Sequence, residues 1–176
     1  VFFNSRISKY TGYDTLYKIL KYYDANYNDE FYLIFSNISS ITKQARNTID
    51  KSEFKKIHII EPRNENRNDY YNILYNADIG IGFHNGVSQW SMSFTDVLLS
   101  EMLPVFFKDY FFKEIFEKYP QNISELVIPK GDIKKMAGKF NYIIRNYKIL
   151  KSKFNFKDYA YNLFNNEKIA SIYSDI

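Results

Sequence analysis

The sequence has no cysteine in its 176 residues, and none of its apolar runs approaches the roughly 20 residues that a bilayer-spanning helix needs. The lack of cysteine excludes a disulfide framework and any metal site built from thiolates. The lack of a long apolar run, together with the lack of a signal-peptide pattern at the start, predicts a protein without a membrane span. Both absences favour a soluble protein of the cytoplasm.

The rest of the composition is typical of a globular domain. Hydrophobic residues make up 45% and charged residues 25% of the chain, and these values argue against disorder. A chain of 176 residues is long enough to bury one core. We therefore predict a single domain over residues 1–176.

The net charge does not by itself indicate a partner. It is +4, from 24 basic against 20 acidic residues, and the small lysine clusters are spread along the chain. Nucleic-acid-binding proteins usually concentrate their basic residues on one face. The charge pattern thus favours solvated helix faces over a nucleic-acid interface.

Segments typical of strands and of helices alternate along the chain. Apolar runs predict strands at residues 1–3, 31–35, 57–60, 79–83, 105–107 and 126–128. Helices are predicted at residues 12–23, 41–49, 110–119, 131–150 and 154–172, with one more after residue 68 and another before residue 105. This order predicts an α/β fold with a Rossmann-like, doubly wound parallel sheet of about six strands.

Three of the predicted helices have an identifiable inward face. Asn68 or Asp69 caps the helix that follows the third strand, and its inward residues are predicted to be Tyr71 and Leu74. The apolar residues of the first helix and of the helix at 131–150 recur every three or four positions. They are Leu16, Ile19, Leu20 and Tyr23 in the first, and Ile133, Met136, Phe140, Ile143, Ile144 and Tyr147 in the second.

Residues 77–107 have the order strand, loop, helix, strand, which is a βαβ unit. The loop at residues 82–89 is polar, and parallel strands place such loops at the carboxyl edge of the sheet, where open α/β folds bind ligands. The start of the following helix offers unpaired N–H groups and the positive end of the helix dipole. This segment therefore predicts a site for phosphate or carboxylate.

The run Trp90-Ser91-Met92-Ser93-Phe94-Thr95-Asp96, followed by Pro104 and Val105, resembles the donor-binding segment of GT-B glycosyltransferases. In that family a glycine-rich loop precedes a helix whose carboxylate binds the donor's ribose, and a Val-Pro-Val-like strand follows. Asp96 stands where that carboxylate is usually Glu. The Trp-Ser form resembles a branch that includes enzymes acting on modified bases of tRNA and phage DNA.

A second stretch, residues 4–16, resembles the family's Gly-Arg-Leu and Lys-Gly-x-Asp-x-Leu motifs, whose Arg and Lys neutralise the donor diphosphate. Arg6 matches the Arg and Gly12 the glycine, but Thr11 stands in the Lys position. A threonine hydroxyl can donate one hydrogen bond to phosphate but carries no charge, so Lys9 or Lys18 would have to supply the second cation. Preorganised cations stabilise the leaving diphosphate without solvent rearrangement.

The resemblance implies a function as well as a fold. The chain would be the carboxyl-terminal, nucleotide-sugar-binding lobe of a hexosyltransferase acting with retention, and an amino-terminal acceptor lobe would precede Val1. The donor would be UDP- or GDP-linked, and neither a metal nor another cofactor is expected. Many retaining members carry Glu eight residues before the ribose carboxylate, where this chain has Ser88. The acceptor stays open among nucleic-acid bases, glycans, lipids and proteins.

The candidate site residues follow from this comparison and from position. The catalytic candidates are Arg6 and Thr11, beside the diphosphate, and His84, beside the donor sugar. The donor-binding candidates are Gly12, Glu61, Gly86, Ser88, Gln89, Trp90, Ser91, Met92, Thr95 and Asp96, with Glu61 placed near the base by position alone.

Four of the candidates also have a structural explanation. Arg6 and Asp96 are alternatively solvent-exposed residues, His84 an incidental loop residue and Trp90 a packing residue. The Gly80-Ile81-Gly82 pattern is not a dinucleotide fingerprint, because it lies inside the strand and lacks the later glycine and the acidic partner.

Two other functions remain open. A degenerate, non-catalytic nucleotide-binding or interaction module of the same fold would give no heat when titrated with UDP or GDP sugars. A sugar-nucleotide epimerase would release free UDP and isomerised sugar without an acceptor.

Replacement of Arg6 by Ala tests the assignment of the first motif. Loss of the guanidinium is expected to weaken donor binding by roughly 1.5 to 3 kcal/mol, the size of a hydrogen bond to a charged group. Calorimetric titration of UDP and GDP sugars into wild type and Arg6→Ala measures the difference. Equal affinities would remove Arg6 from the site.

Overall fold

The structure is a computed structural model and describes residues 1–3, 12–35, 51–60, 67–82, 92–107, 119 and 121–164. The strands are β1 (Phe2–Phe3), β2 (Phe31–Phe35), β3 (Ile57–Ile60), β4 (Ile79–Gly82), β5 (Leu103–Phe107) and β6 (Val127–Ile128). The helices are α1 (Tyr13–Asn26), α2 (Arg67–Asn76), α3 (Met92–Leu99), α4 (Ile133–Lys153) and α5 (Phe156–Phe164), and short 3-10 helices lie at Lys51–Glu53 and Ser124–Leu126.

The strands form one six-stranded sheet in the order β3-β2-β1-β4-β5-β6, and every neighbouring pair is parallel. The first three strands therefore extend from β1 in one direction and the last three extend from β4 in the other. This is the strand order of a doubly wound Rossmann-like sheet. The predicted α/β fold class is confirmed.

One face of the sheet is covered by α1 and α4. Successive strand residues point to opposite faces, and the residues on this face include Phe3 and Phe35, whose ring centroids lie 5.6 Å apart. The two helices also pack against each other. The ring centroids of Tyr23 and Phe140 lie 5.9 Å apart, and the ring planes meet at 72°. Edge-to-face packing of this kind adds to the burial of large apolar area.

The other face is covered by α2, α3 and α5. Phe2 points to this face and lies 6.4 Å from the ring of Tyr70 in α2. Phe106 lies 5.6 Å from Phe156 in α5. Phe2, Phe106 and the residues of the first face are almost completely buried, so the core lies on both sides of a sheet with apolar strands.

The inward faces of α1 and α4 agree with the sequence pattern. All of the α1 residues predicted to face inward are buried, and Met136, Phe140 and Ile143 are buried in α4. The prediction for α2 is half wrong, because Leu74 is 6% exposed but Tyr71 is 39% exposed. Tyr70 takes the inward place, since its ring packs against Phe2. In a helix, Tyr70 and Tyr71 lie about 40° and about 60° from Leu74 on opposite sides, so the packing of the helix decides between them.

Several predicted segments lie outside the described residues. They are the predicted helix at 41–49, residues 110–118 of the helix predicted at 110–119, and residues 165–172 of the helix predicted at 154–172. Elsewhere the predicted strands are found with small shifts at their ends. The strand predicted at 105–107 begins at Leu103, and the strand predicted at 126–128 begins at Val127 after a 3-10 turn.

Pro104 is tolerated inside β5 because of the direction of its nitrogen. The N–H of Leu103 donates to the carbonyl of Asp78, 2.8 Å away, on the β4 side of the strand. The nitrogen of the next residue points to the opposite side, and β6 pairs with β5 at Phe106 and Phe107, further along the strand. Pro104 therefore lacks its N–H at a position where neither neighbouring strand needs a hydrogen-bond donor.

The longest described helix, α4, is an amphipathic surface helix of 21 residues. Its N-cap residue, Asp132, accepts hydrogen bonds from the backbone N–H groups of Lys134 and Lys135 at 2.6 and 3.4 Å. Lys151 and Lys153 lie in its last turn, where positive charge complements the helix dipole. Within the described ranges no helix is both long and apolar enough to cross a bilayer.

Gly80 sets the distance between α3 and β4, and replacement by Ala tests this. A Cβ at position 80 would overlap Val97 Cγ1 and lie 2.9 Å from Cγ2 and 3.1 Å from Cβ of the same residue. We expect Gly80→Ala to lower the free energy of unfolding by about 1 to 3 kcal/mol, as overpacking does. Urea denaturation measures the loss.

A double-mutant cycle identifies the cause. Val97→Ala removes the overlapping methyl groups, so the Gly80→Ala, Val97→Ala double variant is expected to lose less stability than the sum of the two single variants. If the two losses of stability are additive, the cost of Gly80→Ala does not come from overlap with Val97.

Candidate functional site

The centre of the sheet is a topological switch point. β1 and β4 are neighbours, but the connection from β1 leads to β2 on one side and the connection from β4 leads to β5 on the other. Diverging connections leave a crevice outside the carboxyl ends of the two strands, and open α/β sheets bind their ligands there. This edge is the candidate functional site.

The two segments that the sequence assigns to the donor diphosphate follow these two strands. Phe3, the last residue of β1, is in register with Ile81, and β4 ends one residue later at Gly82. The chain therefore leaves β1 and β4 at adjacent points of the same sheet edge. Most of the candidates themselves lie outside the described residues: Arg6, Thr11, Glu61, His84, Gly86, Ser88, Gln89, Trp90 and Ser91.

Gly12 is described, and it forms the start of α1 at this edge. Its backbone has φ 69° and ψ 17°, a left-handed conformation that glycine adopts at no steric cost. Its carbonyl oxygen accepts hydrogen bonds from the N–H groups of Thr15 and Leu16, both at 3.1 Å. The glycine of the second motif is therefore required by the backbone turn into the helix.

Asp96 is half-buried in α3 and accepts a hydrogen bond from Tyr70 of α2. The Tyr70 hydroxyl lies 2.5 Å from Asp96 Oδ2, the length expected for a hydroxyl bound to a carboxylate. A carboxylate accepts through both oxygens, so Oδ1 can take a further donor. Asp96 lies four residues after Met92, or about 6 Å along the helix axis from the end at the carboxyl edge.

Thr95 and Met92 are the other described candidates in α3. Thr95 is buried, with 6% of its surface exposed, so its side chain packs within the protein. Met92 is the first residue of the helix. The structure thus brings Gly12, Met92 and Asp96 to elements that begin at the same sheet edge, while Thr95 lies on the packed side of its helix.

Tyr70 is not among the residues predicted from the sequence. Tyr71 and Tyr70 lie three and four residues before Leu74, and both spacings are typical of one helix face, so the sequence pattern does not separate the two tyrosines. The sequence contains no signal that connects Tyr70 to Asp96, because the two residues are 26 positions apart and meet through the packing of α2 beside α3.

Two cavities bounded by described residues lie at the opposite edge of the sheet. One, of about 720 Å³, is lined by Met102, Tyr119 and Phe154 near the start of β5. Another, of about 430 Å³, lies where Phe31 and Ile79 begin their strands. Their position at the amino edge separates them from the crevice that the strand order creates, and the crevice is the candidate site because open α/β sheets bind ligands at such a point.

The clearest electrostatic perturbations are also away from the crevice. Burial, with a smaller contribution from Asp29, raises the pKa of Tyr23 to about 12. The hydrogen bond from Lys153 lowers the pKa of Glu125, and desolvation lowers the pKa of Lys139. These groups belong to the packing of α1 and α4 and to surface pairs. Among the described residues no group of three or more His, Asp or Glu side chains is arranged to bind a metal ion.

The sequence matches no protein-family model and no curated protein sequence. The function of this chain is therefore inferred from its own residues and motifs and from the topology of its sheet.

Replacement of Gly12 tests the role of its backbone conformation. Ala at a left-handed position costs about 1 to 2 kcal/mol, so Gly12→Ala is expected to lower the free energy of unfolding by that amount. Gly138→Ala is the matched control, because Gly138 lies inside α4 and does not have a positive φ. A Cβ there would lie 3.3 Å from the Tyr27 hydroxyl, and we expect a much smaller change. Equal losses in urea denaturation would contradict the assignment.

Proposed function

We propose that this chain is the nucleotide-sugar-binding domain of a glycosyltransferase with a GT-B-like arrangement. It would bind a UDP- or GDP-linked hexose for transfer to an acceptor with retention of configuration. In the family that the sequence resembles, a separate lobe holds the acceptor. Donor binding is therefore the activity that this chain performs by itself.

The observation that carries the proposal is the adjacency of β1 and β4 at the switch point. The two sequence motifs assigned to the diphosphate are 70 or more residues apart along the chain, yet each follows one of these two strands. Had the strands been separated in the sheet, one diphosphate could not have been shared by both motifs. Their parallel pairing supports a single donor site.

The described residues at this edge supply one recognition group for the donor. Asp96 offers a carboxylate oxygen within two turns of the helix start, and a carboxylate is the group that most often binds ribose hydroxyls in Rossmann-like folds. Its hydrogen bond with Tyr70 leaves capacity for one more donor. The ribose of the nucleotide would therefore lie beside α3.

The diphosphate would lie between the two motifs. Arg6 supplies a cation, Thr11 a hydroxyl, and the residues Ser88 to Ser91 precede a helix whose start favours an anion. Lys18, the described candidate for the second cation, is exposed on α1. As the glycosidic bond breaks, charge grows on the diphosphate, and these groups lower the barrier by stabilising that charge.

The sugar itself would be positioned by His84. Transfer in this class depends mainly on holding donor and acceptor in the reactive geometry and on stabilising the leaving group. The reaction then requires no nucleophilic side chain. Ser88 in place of the family's Glu removes a negative group from the sugar site, so the chain would bind its hexose with fewer charged contacts.

Asp96→Asn tests the proposal at a described residue. The amide keeps the size of the side chain but removes its charge and one acceptor, so the affinity for UDP or GDP is expected to fall about 10- to 100-fold, the loss of a hydrogen bond to a charged group. Isothermal titration calorimetry with UDP and with GDP measures it.

Asp78→Asn is the matched control. It makes the same chemical change at an exposed residue of the opposite sheet edge, and the backbone hydrogen bond of Asp78 with Leu103 is kept. Its affinity should equal that of wild type. If wild type binds neither nucleotide, or if both variants bind as wild type does, the proposed donor site is wrong.

A further inference from the structure

Tyr70 lies where it can control the orientation of Asp96. It is in the first turn of α2, and its hydroxyl donates to Asp96 Oδ2 over 2.5 Å. A hydroxyl bound to a carboxylate at this length is a charge-assisted hydrogen bond, roughly twice as strong as one between neutral groups. The contact therefore fixes the position of one carboxylate oxygen.

The tyrosine ring is itself held in place by its neighbours. Its centroid lies 6.4 Å from that of Phe2 in β1 and 6.0 Å from that of Tyr71, at interplanar angles of 59° and 48°. Phe2 is fully buried in the middle of the sheet. The hydroxyl is thus carried by a ring that packs against the core, and a side chain held by packing positions its partner more precisely than a mobile one.

Among the described residues no hydrogen bond to the second oxygen of Asp96, Oδ1, is found, so this oxygen can accept from a ligand. The carboxylate projects from the second turn of α3, and both α2 and α3 begin on the carboxyl side of the sheet. With Oδ2 engaged by Tyr70, the carboxylate has a defined rotation and a defined direction for Oδ1. A sugar hydroxyl that donates to Oδ1 would meet an acceptor already oriented for it.

We infer that Tyr70 is a positioning residue that orients Asp96 toward the ribose hydroxyls of the nucleotide, so that the site selects ribonucleotides over nucleotides that lack these hydroxyls. This inference rests on the proposed donor-binding function. It adds to that function a residue outside both sequence motifs and a specific selectivity that depends on it.

Selectivity between UDP and 2′,3′-dideoxy-UDP, and between GDP and 2′,3′-dideoxy-GDP, is the measurement. The selectivity ratio is the Kd of the dideoxynucleotide divided by the Kd of the ribonucleotide. Wild type is expected to give a ratio of about 10 to 100, from hydrogen bonds to a charged group. Tyr70→Phe keeps the ring and removes the hydroxyl, and it should lower the ratio about three- to tenfold.

The change should appear in one nucleotide only. Tyr70→Phe is expected to weaken binding of the ribonucleotide and to leave binding of the dideoxynucleotide unchanged. The dideoxynucleotide has no ribose hydroxyl that could donate a hydrogen bond to Asp96. Asp96→Asn should bring the ratio close to one, and adding Tyr70→Phe to it should change nothing further. Tyr75→Phe is the control: Tyr75 lies on the same helix with 77% of its surface exposed, and its ratio should equal that of wild type.

The outcomes separate the inference from the function on which it rests. If wild type binds neither UDP nor GDP, the proposed function and the role of Tyr70 are both wrong. If Asp96→Asn lowers the ratio and Tyr70→Phe does not, the inference alone is wrong. If Tyr70→Phe weakens both members of a nucleotide pair equally, Tyr70 only ties α2 to α3, and the inference is likewise overturned.

Discussion

The parallel pairing of β1 with β4 is the constraint on which the rest of the molecule depends. Within the described part of the chain β1 pairs with β4 at two positions, Phe2 opposite Gly80 and Phe3 opposite Ile81, and both phenylalanines are completely buried. The remaining strands lie on both sides of this pair, with β2 and β3 on one side and β5 and β6 on the other. The same pairing that closes the core therefore opens the crevice at the carboxyl edge.

The contacts around this pair form a ring that begins and ends at Phe2. Phe2 lies opposite Gly80 in the sheet, and the lack of a side chain at Gly80 lets Val97 of α3 approach the strand. The residue before Val97 is Asp96, which accepts from Tyr70, and the Tyr70 ring packs on Phe2. Because each contact fixes the next, the position of a candidate ligand-binding carboxylate is determined by the packing of the core beneath it. This is the arrangement expected of a site held by rigid elements.

The proposed site has less charge than the family it resembles. Thr11 and Ser88 stand where that family carries Lys and Glu, so the proposed donor site has one cation and one carboxylate fewer. Such replacements do not change the backbone groups. Gly12 is the left-handed residue that precedes α1, and α3 begins beside β4. Affinity in such a site would depend more on N–H groups and helix starts, whose contribution does not require a charged side chain.

The sequence by itself determined the alternation of strands and helices and the inward faces of α1 and α4, because these follow from the local period of apolar residues. It also indicated Gly12 and Asp96, since each belongs to a recognisable local run. Only the tertiary structure decided the order of the strands, the choice of Tyr70 over Tyr71 as the inward residue of α2, and the contact between Tyr70 and Asp96. These depend on elements far apart in the chain, whose pairing is set by packing and by the direction of crossovers and leaves no periodic signal in the sequence.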